Sequence, residues 1–195
     1  MNEARLIWGV SIHQLICWGT LHASVPAFVA PMEAELGWSR AEISGAVTCG
    51  LLAAGIAAIP VGRYVDRHGS RWVMTLGAAL GVAMLLGWAA VPSLAAFYAL
   101  WIAIGIVQAM AFAEPAYAAI TANSRDPRRA VIISTFVTGL TSTIFLPLAA
   151  TLVELAGWRA TLLGFAALQL VPAVVAAVLM RGARGSLAGA TAEAT

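Results

Sequence analysis

Five stretches of the chain carry no Asp, Glu, Lys or Arg: residues 6–30, 43–62, 72–113, 130–153 and 160–180. A helix that crosses the hydrocarbon of a bilayer takes about 20 apolar residues. Four of the five stretches are of that size, and 72–113 is about twice it. Val91-Pro92-Ser93 is a turn signal that divides the long one. The pattern therefore predicts six helices, over about 6–30, 43–62, 72–91, 94–122, 130–153 and 160–180. The fourth passes Glu114 and ends at the polar break at Asn123. The first apolar run is far longer than the core of a signal peptide, and Pro31 follows it, so it is read as a retained span. A transmembrane β-barrel would show roughly ten-residue alternating segments, and none appear.

Composition agrees with lipid as the solvent. Of 195 residues, 61% are hydrophobic and 10% are charged, and the mean hydropathy is +0.88. A soluble domain carries about 25% charged residues. A soluble enzyme, a nucleic-acid binder and a disordered chain are all poor fits, and a net charge of +2 does not suggest a polyanion partner. Six spans use almost the whole length, so no separate soluble domain fits. The 15 residues 181–195 are rich in Gly, Ala, Ser and Thr and read as a flexible tail. The two cysteines, Cys17 and Cys49, lie in apolar runs without the spacing of a disulfide, zinc or redox motif.

The basic residues set the orientation. Arg5, Arg63, Arg67, Arg71, Arg125, Arg128, Arg129, Arg181 and Arg184 fall on the side of the termini; Arg40 and Arg159 fall on the other. This places both termini and the loops 63–71 and 123–129 in the cytoplasm, with 31–42, 91–94 and 154–159 facing outward. Small residues recur every four positions at Ala46, Gly50, Ala54, Ala58 and Gly62 in the second helix, with Gly77 and Gly81 in the third and Gly105, Ala109 and Ala113 in the fourth. Such ridges let helices approach closely.

Between the second and third helices stands GRYVDRHGSR, residues 62–71. Gly62 permits close backbone approach, Gly69 a tight turn, and Asp66, Arg67 and Arg71 form a polar group at the membrane surface. Such a group is either a latch that makes and breaks as bundles tilt, or an ordinary topology-setting loop. The stretch resembles the cytoplasmic loop signature of the major facilitator superfamily, G-x-x-x-D-R-x-G-R-R. Gly62, Asp66, Arg67, Gly69 and Arg71 match it, and Ser70 departs where the family has a basic residue. The run Glu35-Leu36-Gly37-Trp38-Ser39-Arg40 and the junction Gly157-Trp158-Arg159 are similar to others common in that family.

The resemblance spans roughly residues 6–180. It implies an all-α polytopic bundle of six transmembrane helices, built as two inverted three-helix repeats. Helices one and four would face a cavity, two and five would flank it, and three and six would lie outside. It implies secondary transport of a small molecule by alternating access, with or without a coupled proton, in a plasma membrane such as a bacterial inner membrane. Members commonly have twelve helices, so the chain is expected to be one half. Its partner would be a second six-helix half, either a copy of itself or a separate chain. A non-transporting scaffold and an inactive truncated fragment are the alternatives. Trp101 stands where proton-coupled members carry an Arg, and helix five has Gly139 and Pro147 without the paired glycines of drug–proton exchangers. The lengths, Pro147 and the Gly-Trp-Arg junction are loosely similar to the monocarboxylate and oxalate–formate branch.

Polar residues in lipid are site candidates. In helix one, Gln14, Trp18 and His22 recur every four residues and share a face, with His13 opposite to His22. His22 is the cavity candidate, against the plainer reading of a histidine bonded to a neighbouring helix. In helix four, Glu114 precedes Pro115, which kinks a helix and frees a carbonyl; Gln108 and Tyr117 are near it. Glu114 is a substrate or proton site, or an interfacial partner of Arg125 or Arg128. In helix five Thr138 and Ser142 are candidates, although such hydroxyls often bond their own helix. No catalytic set, metal-ligand spacing or cofactor motif is present, so no enzyme is read and no cofactor expected.

Overall fold

The computed structural model describes residues 3–179, apart from the side chains of Ala113, Glu114 and Leu179. The tail 181–195 lies outside the described residues. Among the described residues, six helices are long and apolar enough to cross a membrane: α1 (Glu3–Leu36), α2 (Arg40–His68), α3 (Ser70–Ala89), α4 (Leu94–Asn123), α5 (Pro127–Ala156) and α6 (Trp158–Val178). At 1.5 Å per residue, the longest of them exceed the roughly 30 Å of hydrocarbon. They therefore extend beyond the charge-free stretches. Because helices pair most of their backbone groups internally, the bundle presents no sheet edge to lipid.

The helix ends are written in the sequence. Ser39 and Glu42 form a capping box at the start of α2, with Glu42 Oε2 accepting from Ser39 N–H at 2.8 Å and Ser39 Oγ accepting from Glu42 N–H at 3.3 Å. Ser93 caps α4 through Ala96 N–H. Asp126 caps α5 through Arg129 N–H, with Pro127 in the first turn, where no amide partner is needed.

Two junctions consist of one residue each. Gly69 (φ 82, ψ 165) joins α2 to α3, and Gly157 (φ 82, ψ 161) joins α5 to α6. Each donates its N–H to the carbonyl four residues back, Val65 and Val153. This backbone region is open to glycine alone. The motif of residues 62–71 is thus helical on both sides of Gly69 rather than an open loop. Below, the two faces of the bundle are named the Gly69 end and the Gly157 end.

α1, α3, α4 and α6 form the packed centre. α4 lies against α2 and α3, and α6 lies against α1 and α3. The closest approach is between α2 and α4: a Cβ on Gly105 would stand 2.0 Å from the Gly50 carbonyl oxygen. At the Gly157 end the core is aromatic, with Trp88 in contact with Phe28, Phe97 and Trp101, and Phe165 with Phe28 and Phe145. At the Gly69 end a smaller aliphatic core gathers Leu6, Val10, Met74, Ile120 and Ala176. α2 and α5 are the least covered helices, with only 11% and 17% of their spanning windows buried, against 50% for α1.

A clasp ties three helices at the Gly157 end. Glu35 accepts from Trp158 Nε1 at 2.6 Å and from Arg159 Nε at 2.9 Å. Arg159 also donates to the Ala89 carbonyl and lies over the Trp158 ring.

Candidate functional site

Two helices are interrupted side by side in the middle of the bundle. Residues Gly19–Ala23 of α1 are wound as a π-helix, and Ser24 N–H reaches back five residues to Gly19 O at 3.2 Å. Widened turns of this kind are common at functional sites. α4 breaks at Phe112 (φ −92, ψ −146), between Ala111 and Ala113. The cause is Pro115, whose missing amide proton would have bonded the Ala111 carbonyl.

The interruptions meet through two contacts between α1 and α4. Gln108 Nε2 donates to the Leu21 carbonyl inside the π-turn at 3.2 Å. The Trp18 ring packs 4.3 Å from that of Phe112 and 5.3 Å from that of His22. Behind them, Thr20 Oγ1 lies 2.7 Å from Gln169 Oε1 on α6, and Gln169 Nε2 donates to Cys17 Sγ at 3.2 Å. Gln169 is completely buried. A fixed polar clamp therefore holds the back of the π-turn, while its front stays open.

The front is a cleft between α1, α2 and α4. One cavity of about 250 Å³ is lined by Trp18, His22, Ala54, Gly55, Ala58, Gln108 and Phe112, among others. A second, of about 550 Å³, continues toward the Gly157 end along Val25, Val29, Arg40, Ser44, Val47 and Thr48. His22 and Leu51 line both, so the two form one cleft. Arg40, at the far end, is paired with Glu33 at 3.0 Å.

Trp18, His22 and Gln108 are therefore brought together. His13 is enclosed on the other side of α1. Gln14 does not share the lining expected for it. Each four-residue step turns a helix by about 40°, which carries Gln14 round into the α1–α5 contact. It is 2% exposed there, with Thr138 Oγ1 3.4 Å from its Oε1. Thr138 also donates to the Ser134 carbonyl. Both residues thus belong to a helix contact and not to the cleft. Ser142 is exposed on α5 and lines none of the cavities described here. The Glu114 side chain is outside the described residues, although its position, two residues past the α4 break, is adjacent to the cleft.

In the motif, Asp66 and Arg67 are exposed on the last turn of α2. Arg71 donates to the Ala177 carbonyl of α6 at 3.3 Å and stands over the Trp72 ring. His68 stacks on Tyr64 at 4.4 Å. Gly62 has open space around its missing Cβ.

Sequence reasoning passed over Phe112, Thr20 and Gln169. For Gln169 a signal existed, as a polar residue within a charge-free, largely apolar span. For Phe112 the signal was Pro115, three residues later. Residues 10–194 match the family model described as Major Facilitator Superfamily. Comparison with curated proteins found no match.

Proposed function

Because the chain belongs to the Major Facilitator Superfamily, a family of secondary transporters, we propose that it moves a small solute across the membrane by alternating access through the α1–α2–α4 cleft. The observation that carries this is the pairing of the α1 π-turn with the α4 break. Interrupted helices expose backbone carbonyls and aim side chains at a midplane site, as transporter binding sites require. The cleft opens toward the Gly157 end and stops at Trp18, Gln108 and Phe112.

The distribution of arginines supports the Gly69 end, with both termini, as the cytoplasmic one. Glu114 serves as the proton or substrate group at the α4 break. The residues 62–71 act as the latch of the cytoplasmic face. The path is closed by a second six-helix bundle seated on α2 and α5. Support for this is the sparse cover of those two helices, where Ile56 is 74% exposed and Phe136 71%.

The test needs no knowledge of the solute. Cys17 is fully buried, and Cys49 is the accessible thiol to be replaced by serine. Single cysteines are then introduced as Ala58→Cys, at the inner end of the cleft, and Thr48→Cys, nearer its mouth. Each is treated with a membrane-impermeant maleimide in right-side-out and inverted vesicles. Alternating access predicts labelling of the Ala58→Cys protein from both sides. Labelling of both variants from one side only overturns the proposal.

A further inference from the structure

We infer that the hollow between the first turns of α1 and α5 seats the headgroup of a phospholipid that joins a phosphate to a primary ammonium. The site is separate from the cleft, and it needs only that the Gly69 end lies at a membrane surface.

The hollow has a volume of about 570 Å³ and is lined from the start of α1, the start of α5 and the short turn before α5. Sites that hold small ligands are of that size, roughly 300–1,000 Å³. Both helices enter the bilayer at the Gly69 end, so depth rises with residue number on each, by about 1.5 Å per residue. Glu3, Arg125 and Asp126 stand at the mouth, Ile7 and Arg129 about one turn deeper, and Ile133 one turn below Arg129. Polar groups over apolar ones is the order in which a lipid presents its headgroup and chains. Trp8 on the rim is 55% exposed and Ile12, one turn below it, 40%. Indoles of this kind gather at the membrane interface. α4 covers the other flank of α5, where Tyr117 Oη lies 3.1 Å from Thr135 Oγ1. Ile133 and Thr135 point about 160° apart around their helix, so the hollow opens on the flank turned away from α4 and toward lipid.

The lining carries charges of both signs, Arg125 and Arg129 with Glu3 and Asp126. Basic pockets between membrane helices take phosphate headgroups, and a guanidinium meets a phosphate with two parallel N–H donors. The carboxylates are fixed by backbone amides: Glu3 Oε1 accepts from Arg125 N–H at 2.9 Å, and Asp126 Oδ1 from Arg129 N–H at 3.1 Å. Those bonds hold the two acids beside the two guanidiniums and occupy one oxygen of each. The second oxygens suit a cationic N–H donor. A lining of both signs thus matches a zwitterion whose positive end can donate. A trimethylammonium has no N–H to give, and a glycerol headgroup brings the negative charge without the positive one.

The experiment is native mass spectrometry of the full chain in detergent micelles, titrated with phosphatidylethanolamine, phosphatidylcholine or phosphatidylglycerol of the same acyl chains. Phosphatidylethanolamine is expected to bind about tenfold more tightly than either of the others, the size of effect that one charge-assisted contact supplies. Arg125→Ala combined with Arg129→Ala is expected to weaken it about tenfold. Glu3→Gln, which keeps the shape and removes the charge, is expected to bring its affinity down to that of phosphatidylcholine. Arg128→Ala is the control, an exposed arginine of the same turn outside the lining, and is expected to change binding by less than about twofold. Thermal unfolding of each variant confirms that the bundle is kept. Equal binding of the three lipids overturns the inference, as does tighter binding of phosphatidylglycerol or a loss in Arg128→Ala as large as in the double variant. Free phosphoethanolamine at matching concentration is expected to leave the lipid in place. Displacement by it would assign the hollow to a soluble phosphate ester and overturn the lipid.

Discussion

The contact between α2 and α4 sets a demanding test of the packing that holds the cleft together. In Gly105→Ala the new Cβ would lie 2.0 Å from the Gly50 carbonyl oxygen, 2.8 Å from its carbon and 3.0 Å from Ala54 N. Ordinary van der Waals contact begins near 3.4 Å. The two helices must therefore part locally by about 1.4 Å, and the obstructing atoms are backbone, which cannot rotate aside. Overpacking of this kind costs about 1–3 kcal/mol, and backbone obstruction places Gly105→Ala at the upper end, about 3 kcal/mol. For a chain of this size each kcal/mol moves Tm by roughly 2–4 °C, so the expected fall is about 6–12 °C. Thermal unfolding in detergent, followed by tryptophan fluorescence, measures it. Gly164→Ala is the control, because nothing lies within 4 Å of its Cβ position. There alanine gains about 0.5–1 kcal/mol of helix propensity, so its Tm is expected to hold or rise. A Tm for Gly105→Ala within about 2 °C of the unaltered protein refutes the reasoning, as does an equal fall in the control.

Gln169→Leu removes the buried clamp on Thr20 and Cys17; bonds between membrane helices average about 0.6 kcal/mol and reach about 1.7, so a Tm loss of a few degrees is expected, with non-additivity when combined with Thr20→Val. Gly69→Ala and Gly157→Ala force alanine into the same backbone region at about 1–3 kcal/mol each; similar unfolding shifts are expected from the two, and a large disparity would show that the turns are not equivalent. Arg159→Lys keeps the charge but not the planar guanidinium that reaches Glu35, the Ala89 carbonyl and the Trp158 ring at once. Hydrogen exchange at the amides of residues 89–91 is expected to speed up, and unchanged protection there would show that the clasp contributes nothing.

The number of helices and their order were legible because each must bury its own backbone polarity and supply about 20 apolar residues to do so. That requirement is local, and local requirements leave local marks. The turn at Gly69 is of the same kind, since it concerns a bond within four residues. The cleft was only partly legible. Trp18, His22 and Gln108 were found because polar and aromatic groups in lipid are costly unless they face something that accepts them. Gln14 and Thr138 carry the same mark and face each other instead, because a polar residue in a span shows that it has a partner but not which one.

What the amino-acid sequence determined by itself was a membrane-spanning bundle of six helices, with its motifs and a short set of polar candidates. The tertiary structure decided the rest: that α1 widens into a π-turn where Gln108 takes the Leu21 carbonyl, that α4 breaks at Phe112 beside it, and that Gln169 closes the back of the same turn from α6. Those three facts join residues 87 to 149 positions apart. Helical periodicity fixes the angle between neighbours on one helix, but it carries no information about how far each helix is rotated toward another. That rotation is settled by packing, by the Gly50–Gly105 approach and the aromatic core, and it turns a set of polar residues into a cleft.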